Sequence, residues 1–386
     1  MKVQLIHSDS AGTNFTAPIT AYWGIGNGRR VTSLSSEASV SKKFKTAGII
    51  SNISCRVQSS TTTGTTTVFL RLNAGNGNGT FTIGIATTGE FVDTTNTDSI
   101  AVDDLVDYSI SGGTTGSLNI RNFACVWDSN CAAYQTLTNY SLGTGVTAYA
   151  GFGGASITTT EADAQFQTRS YAIWSNLGAY CSVNSSTTNV TVKSRINGAD
   201  GNQLVTITAL TTGYFEDTSN TDNITYNQQI NHVFAGATTA SVTILSVASQ
   251  MRYAPTFQWM NENDGTTIAS ALNRFFQWSG NSFTGTEGPN RTRIKTPTII
   301  GNLNCKVGAN SLNGSTTVFD RLTGVSGAML LTIGSSATGY FEDTTKASNT
   351  YTVNNQICGG ITTGGSSGTI TFKNFGVTVH PLTQYT

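Results

Sequence analysis

This chain has little charge. Only 11% of its 386 residues are Asp, Glu, Lys or Arg, against about 25% in an average soluble protein. The two signs balance at 21 each, so there is no basic face for a phosphate backbone, and nucleic acid is not an expected partner. Histidine is scarce: His7, His232 and His380 are scattered singly. No metal-spaced His pair or phosphate loop occurs, and neighbouring carboxylates such as Glu216-Asp217 would point to opposite faces of a strand. No enzymatic activity and no cofactor are expected. No stretch approaches the ~20 apolar residues of a membrane helix, and the first ten residues contain no apolar run of signal-peptide length. Helical periodicity is almost missing as well. One short turn around Ala271-Leu272 and Arg274 is the single candidate.

What the chain has instead is one text written three times. Gly89-Glu90-Phe91-Val92-Asp93-Thr94-Thr95-Asn96-Thr97-Asp98 returns as Gly213-Tyr214-Phe215-Glu216-Asp217-Thr218-Ser219-Asn220-Thr221-Asp222, and again from Gly339 to Thr345. The spacings, 124 and 126 residues, are those of whole domains rather than of solenoid repeats. Upstream stand Cys55, Cys181 and Cys305, followed by Arg71, Arg195 and Arg321. Downstream, apolar residues step by two and then by three: Ile120 to Phe123, Ile244 to Val247, Phe372 to Phe375. That shared slip in a period-two pattern predicts a β-bulge at one place in every copy.

Segments rich in Thr, Val, Ile and Phe, such as Thr65–Leu72 and Thr80–Ile85, are bounded by Gly/Asn/Ser clusters and read as strands. Seven or eight of them fit in ~125 residues, the size of a jelly roll. The expected fold is therefore all-β, three tandem jelly-roll-like antiparallel β-sandwiches. Residues 1–20 read as an N-terminal arm, and the three repeats as 21–145, 146–251 and 252–386. The segment 259–293 reads as an aromatic insertion in the third repeat.

The six cysteines include three at one repeat position, hence in three different domains, so they read as buried small apolar residues rather than a disulfide framework. Cys125 and Cys131 lie close enough to bridge, but the reduced form is expected. Asp93, Asn96 and Asp98, with Asp217, Asn220 and Asp222, offer oxygen ligands that a calcium ion would accept. The third copy has Lys346 and Ala347 in the corresponding stretch, which favours turn-capping and no metal. Arg71, Arg195 and Arg321, set among apolar strand residues, are expected to pair with a carboxylate of their own repeat, Glu216, Glu342 or Asp93 and its mates being the candidates. Trp127, Trp174, Trp259 and Trp278 do not recur between repeats, and surface aromatics of a sandwich stack on sugars. In the 259–293 segment, Trp259, Phe275, Phe276 and Trp278 are the residues expected to touch a partner.

The Thr-Gly-Tyr/Glu-Phe-Glu/Val-Asp-Thr-Thr/Ser motif and the turn Gly112-Gly113-Thr114-Thr115-Gly116-Ser117, echoed by Gly360-Ile361-Thr362-Thr363-Gly364-Gly365-Ser366, give the chain its likeness. It resembles the Thr/Gly/Asn-rich β-sandwich structural proteins of tailed-phage virions, namely capsid decoration (cement) proteins, head fibres and tail-fibre modules. The resemblance implies a non-enzymatic virion component, assembled in the host cytoplasm and released extracellularly. Its partners would be other virion proteins of capsid or tail, and it would form a homo-oligomer, a trimer by the habit of such proteins. Two rival readings remain: a receptor-binding fibre or lectin-like adhesin for host glycans, and a polysaccharide depolymerase.

Overall fold

The computed structural model describes residues 2–26, 28–29, 36–129, 131–152, 157–236, 241–253, 256–262, 265–278, 283–343 and 348–382, with backbone alone at 8–11, 28–29, 136–139 and 261–262. Nine main strands form the first module: β1 (Lys2–Thr16), β2 (Ile19–Trp23), β3 (Gly48–Ser60), β4 (Thr66–Leu72), β5 (Gly75–Ile83), β6 (Gly89–Val92), β7 (Thr97–Ile100), β8 (Leu105–Gly112) and β9 (Ser117–Asp128). The second repeats them as β10 (Ala132–Leu142), β11 (Thr147–Ala150), β12 (Ala172–Asn184), β13 (Val190–Ile196), β14 (Ala199–Ile207), β15 (Gly213–Glu216), β16 (Thr221–Ile224), β17 (Gln229–Ala235) and β18 (Val242–Tyr253). The third has β19 (Phe257–Glu262), β20 (Asn273–Phe276), β21 (Thr298–Asn310), β22 (Thr316–Leu322), β23 (Val325–Ile333), β24 (Gly339–Glu342), β25 (Ser348–Tyr351), β26 (Gln356–Thr363) and β27 (Thr369–Pro381).

Each module is a jelly roll of two antiparallel sheets. One runs β1-β9-β3-β6, with β7 also on β3; the other runs β2-β8-β4-β5. The same orders recur as β10-β18-β12-β15 with β11-β17-β13-β14, and as β19-β27-β21-β24 with β20-β26-β22-β23. Alternation drives the layering. In β14, Val205 and Ile207 are buried while Leu204 and Thr206 face solvent, because successive side chains leave a strand on opposite faces.

The irregularities repeat too. Pairing of β9 with β3 passes from Ile120↔Val57 to Asn122↔Arg56, leaving Arg121 extra. Leu245 and Lys373 are skipped at the same place in β18 and β27. This is the bulge that the two-then-three spacing predicts. Asn52, Asn176 and Asn302 all take positive φ, at 52°, 55° and 50°, the left-handed region that Asn tolerates better than most residues. Gly89, Gly213 and Gly339 open the repeated motif at φ of 111°, 117° and 106°, which is why each copy begins with glycine.

Three readings of the sequence are corrected. Segment 1–20 is no arm: β1 pairs along most of its length with β9 and is the first strand of sandwich one. The first join falls between Asp128 and Ala132, earlier than residue 145, because β10 pairs with β18 of the second module. The stretch 259–293 is no insertion either. It carries β20, which pairs with β26 just as β2 pairs with β8, so Phe276 is the counterpart of Trp23 and Ala150. The strands holding Ala21 and Ala148 thus correspond to β20, whereas β19, with Phe257 and Trp259, corresponds to β1.

Candidate interaction surfaces and the seams between modules

The repeated arginines hold an ion pair inside each module, with a partner the motif did not name. Arg71 Nε donates to Glu37 Oε1 at 2.9 Å, Arg195 Nε to Glu161 Oε1 at 2.8 Å, and Arg321 Nη2 to Glu287 Oε2 at 2.7 Å. Neither Glu216, Glu342 nor Asp93 takes this role. Each guanidinium also donates to a hairpin carbonyl three residues on, of Ala74, Gly198 or Gly324. The fork thereby ties a loop before the third main strand to the tight turn between the fourth and fifth. For Arg71 and Arg195, the glutamate hydrogen bond outweighs partial burial and holds the guanidinium above its ordinary range.

The acidic turns of the first two modules are saturated by backbone and asparagine donors. Asp93 accepts from Thr80 N at 2.9 Å, Thr95 N at 3.0 Å, Asn96 N at 3.0 Å and Asn96 Nδ2 at 2.9 Å. Asp217 accepts the equivalent set from Leu204, Ser219 and Asn220. Burial works against the charge of both carboxylates, but these donors overcome it and hold the pKa below the usual carboxylate value. Asp98 takes Asn78 N and Gly79 N at 2.7 and 2.8 Å, and Asp222 takes Asn202 N and Ser194 Oγ at 2.7 and 2.6 Å. The third module moves this carboxylate across to Asp320 on β22, where it accepts from Asn349 Nδ2 at 2.7 Å. Among the described residues, no group of three or more His, Cys, Asp or Glu is placed to hold a metal. Lys346 and Ala347 lie outside the described residues.

The aromatic residues offered as partner contacts are mostly interior. Trp259 and Trp278 are 1% and 2% exposed, Phe276 is fully buried, and Phe275 is half-buried. Trp127 and Trp174 are fully buried, so none of these tryptophans is available to stack on a sugar. Phe276 fits because β26 presents glycine opposite it: a Cβ on Gly359 would lie 2.0 Å from Phe276 Cζ. At the matching positions the first module sets Trp23 against Tyr108, and the second sets Ala150 against His232. His232 is buried between Phe152 and Trp174, ring centroids at 4.7 and 5.2 Å, and burial pulls its pKa down to about 4. All six cysteines are free thiols and buried, Cys55, Cys181, Cys305 and the Cys125/Cys131 pair among them. Burial pushes Cys125 up to about 12.

Contacts that sequence reasoning missed lie where modules meet. Lys43 and Lys45 of the first module reach Glu216 of the second at 3.1 and 2.7 Å. Arg169 of the second reaches Glu342 of the third at 2.6 Å. Arg293 and Lys295 of the third reach Glu90 of the first at 2.8 and 2.5 Å. Lys42 is wholly buried at the first seam, donating to Tyr134 O at 2.7 Å and Ser249 O at 3.3 Å, and desolvation lowers its pKa to about 7. One cluster of buried apolar residues runs through parts of all three modules, while the far half of the second keeps a core of its own.

No protein-family model matches this chain, and no curated protein matches it. Among solved structures, one described as "The Triple Jelly Roll Fold and Turret Assembly in an Archaeal Virus" aligns with 98% of this chain and 91% of that chain at 11% identity. The TM-score is 0.20, too low for that likeness to carry an argument.

Proposed function

We propose that this chain is structural material of a virus particle, a capsid decoration or head-fibre component that binds the particle surface and holds its jelly rolls against or away from it. One observation supports this best. The arginines, aspartates, tryptophans and cysteines that stood out as functional candidates are engaged within the chain or buried in it. What remains outside is a weakly charged surface of Thr, Ser, Asn and Gly on three sandwiches, which suits packing rather than turnover. The sequence likeness to virion β-sandwich proteins points the same way. Partners would be other virion proteins. The test is to add purified chain to particles that lack it and image them. Saturable density at a fixed place on shell or tail is the expected result; chain left wholly in the supernatant would refute the reading. Release of reducing ends from capsule polysaccharide would refute its non-enzymatic part.

Recognition of host glycans is the second reading, moved to a different residue. Tyr171 is 63% exposed beside a groove lined by Ile173, Asn223, Thr225 and Arg252, an aromatic face next to planar polar groups. Binding on a glycan array that disappears in Tyr171→Ala would favour it over a purely structural role.

A further inference from the structure

The three seams are one seam used three times. Phe44, Thr168 and Ile294 are equivalent, each donating its N–H to the turn before the eighth main strand, at Asp104 O, Gln228 O and Asn355 O. The next residue in each case is the seam cation: Lys45, Arg169 and Lys295. The acids sit on the matching strands β15, β24 and β6. Glu216 and Glu342 occupy the same position, and Glu90 stands two residues earlier, on the same face because side chains alternate along a strand. The contact therefore has a direction. It passes from module one to two, from two to three, and from three back to one.

The interior of the ring follows the same rule at two of the three seams. Leu5, Tyr134 and Trp259 are equivalent by their pairing opposite Cys125, Ser249 and Val377. Trp259 Nε1 donates to Gln4 O of module one at 3.2 Å, and Tyr134 OH donates to Gln258 O of module three at 2.7 Å. Gln4 and Gln258 are themselves equivalent. Gln4 further clasps module three, donating from Nε2 to Arg293 O at 2.8 Å and accepting Lys295 N at 2.9 Å. A head-to-tail interface generates a filament unless its rotation closes it. Here it closes after three steps, and the last step joins the two modules most distant in sequence.

We propose that a single copy is a complete pseudo-trimer: the chain stays monomeric, and its first and third modules lock to each other through the Glu90–Arg293/Lys295 clasp where a homotrimer would recruit a second chain. The head-to-tail surface of every module is already covered from within, so no second copy is needed to cover it. The inference rests on the seams and not on the virion reading, so absence of particle binding leaves it standing.

Two experiments on the intact chain test it. Native mass spectrometry and light scattering should give the single-chain mass of 40.6 kDa across a hundred-fold range of concentration. A threefold mass, or a mass that falls on dilution, would overturn the proposal. Zero-length carbodiimide coupling should join Lys295 to Glu90 within the monomer band. Finding that cross-linked peptide only in higher bands, or not at all, would overturn it too. The charge-reversed Glu90→Arg should open the clasp, giving a larger hydrodynamic radius or concentration-dependent association, and the triple variant with Arg293→Glu and Lys295→Glu should restore the compact monomer. Unchanged size and association in Glu90→Arg would count against the lock. If Glu90→Arg does not fold, the wild-type mass and cross-link decide.

Discussion

Arg195 and Glu161 are 34 residues apart and joined side chain to side chain, and the same separation joins Arg71 to Glu37 and Arg321 to Glu287. Both members of each pair are less than one-fifth exposed. They thus fall between exposed pairs, which contribute about 0–1 kcal/mol, and buried ones, whose breakage costs about 3–5 kcal/mol. Arg195→Met should destabilise by about 2 kcal/mol in urea denaturation, on the same scale. Adding Glu161→Gln should cost much less on top, and full additivity of the two would show that the pair is not coupled.

Asn302 holds a left-handed backbone where β21 slips in register against β27. Replacement by Gly should leave stability within a few tenths of a kcal/mol, whereas Val should cost about 1–2 kcal/mol through its Cβ clash. Equal thermal midpoints for the two variants would refute this account.

The Gly359–Phe276 contact leaves no room for a methyl group. Gly359→Ala should destabilise by about 1–3 kcal/mol, as overpacked cores do. The added Phe276→Leu should recover part of that loss. Denaturant midpoints of the single and double variants measure both.

Two buried bases give separable pH windows. His232 has a folded pKa of about 4 against 6.5 in the open chain. Between these values the unfolded state binds more protons, so stability is complete above pH 6.5 and declines as pH falls toward 4. Lys42, about 7 folded against 10.5, has the same sign in a higher window: stability climbs from pH 7 to 10.5. His232→Phe should flatten the first slope alone and Lys42→Met the second alone. A stability–pH curve unchanged by either variant would contradict the assignment.

The sequence made the triplication, the jelly-roll size and the bulge legible because motif, spacing and slip are all local text. It hid the arginine partners because Glu37, Glu161 and Glu287 sit in stretches that share no more than a hydroxyl residue before the glutamate and a small one after it, although their constant offset from the arginines was there to be found. β1 read as an arm because Ser8 to Asn14 is polar, yet this is where its pairing with β9 slips. The tryptophans misled because failing to recur looked like specialisation for a partner, when each is buried inside the chain, Trp259 at the seam with module one. The seams were unreadable for a related reason: Arg169 stands where the other two copies have Lys45 and Lys295, and the acid shifts by two along its strand.

The three pairings Trp23–Tyr108, Ala150–His232 and Phe276–Gly359 divide the same interior space differently. A strand exchanged between neighbouring copies of a duplicated fold is a standing hazard for such chains. Here a wrong exchange would meet either a steric collision or a hollow: Tyr108 in the place of Gly359 has no room beside Phe276, and Ala150 opposite Gly359 leaves empty volume. Divergence of these pairs would thus penalise exchange of strands between sandwiches relative to each strand's own partner.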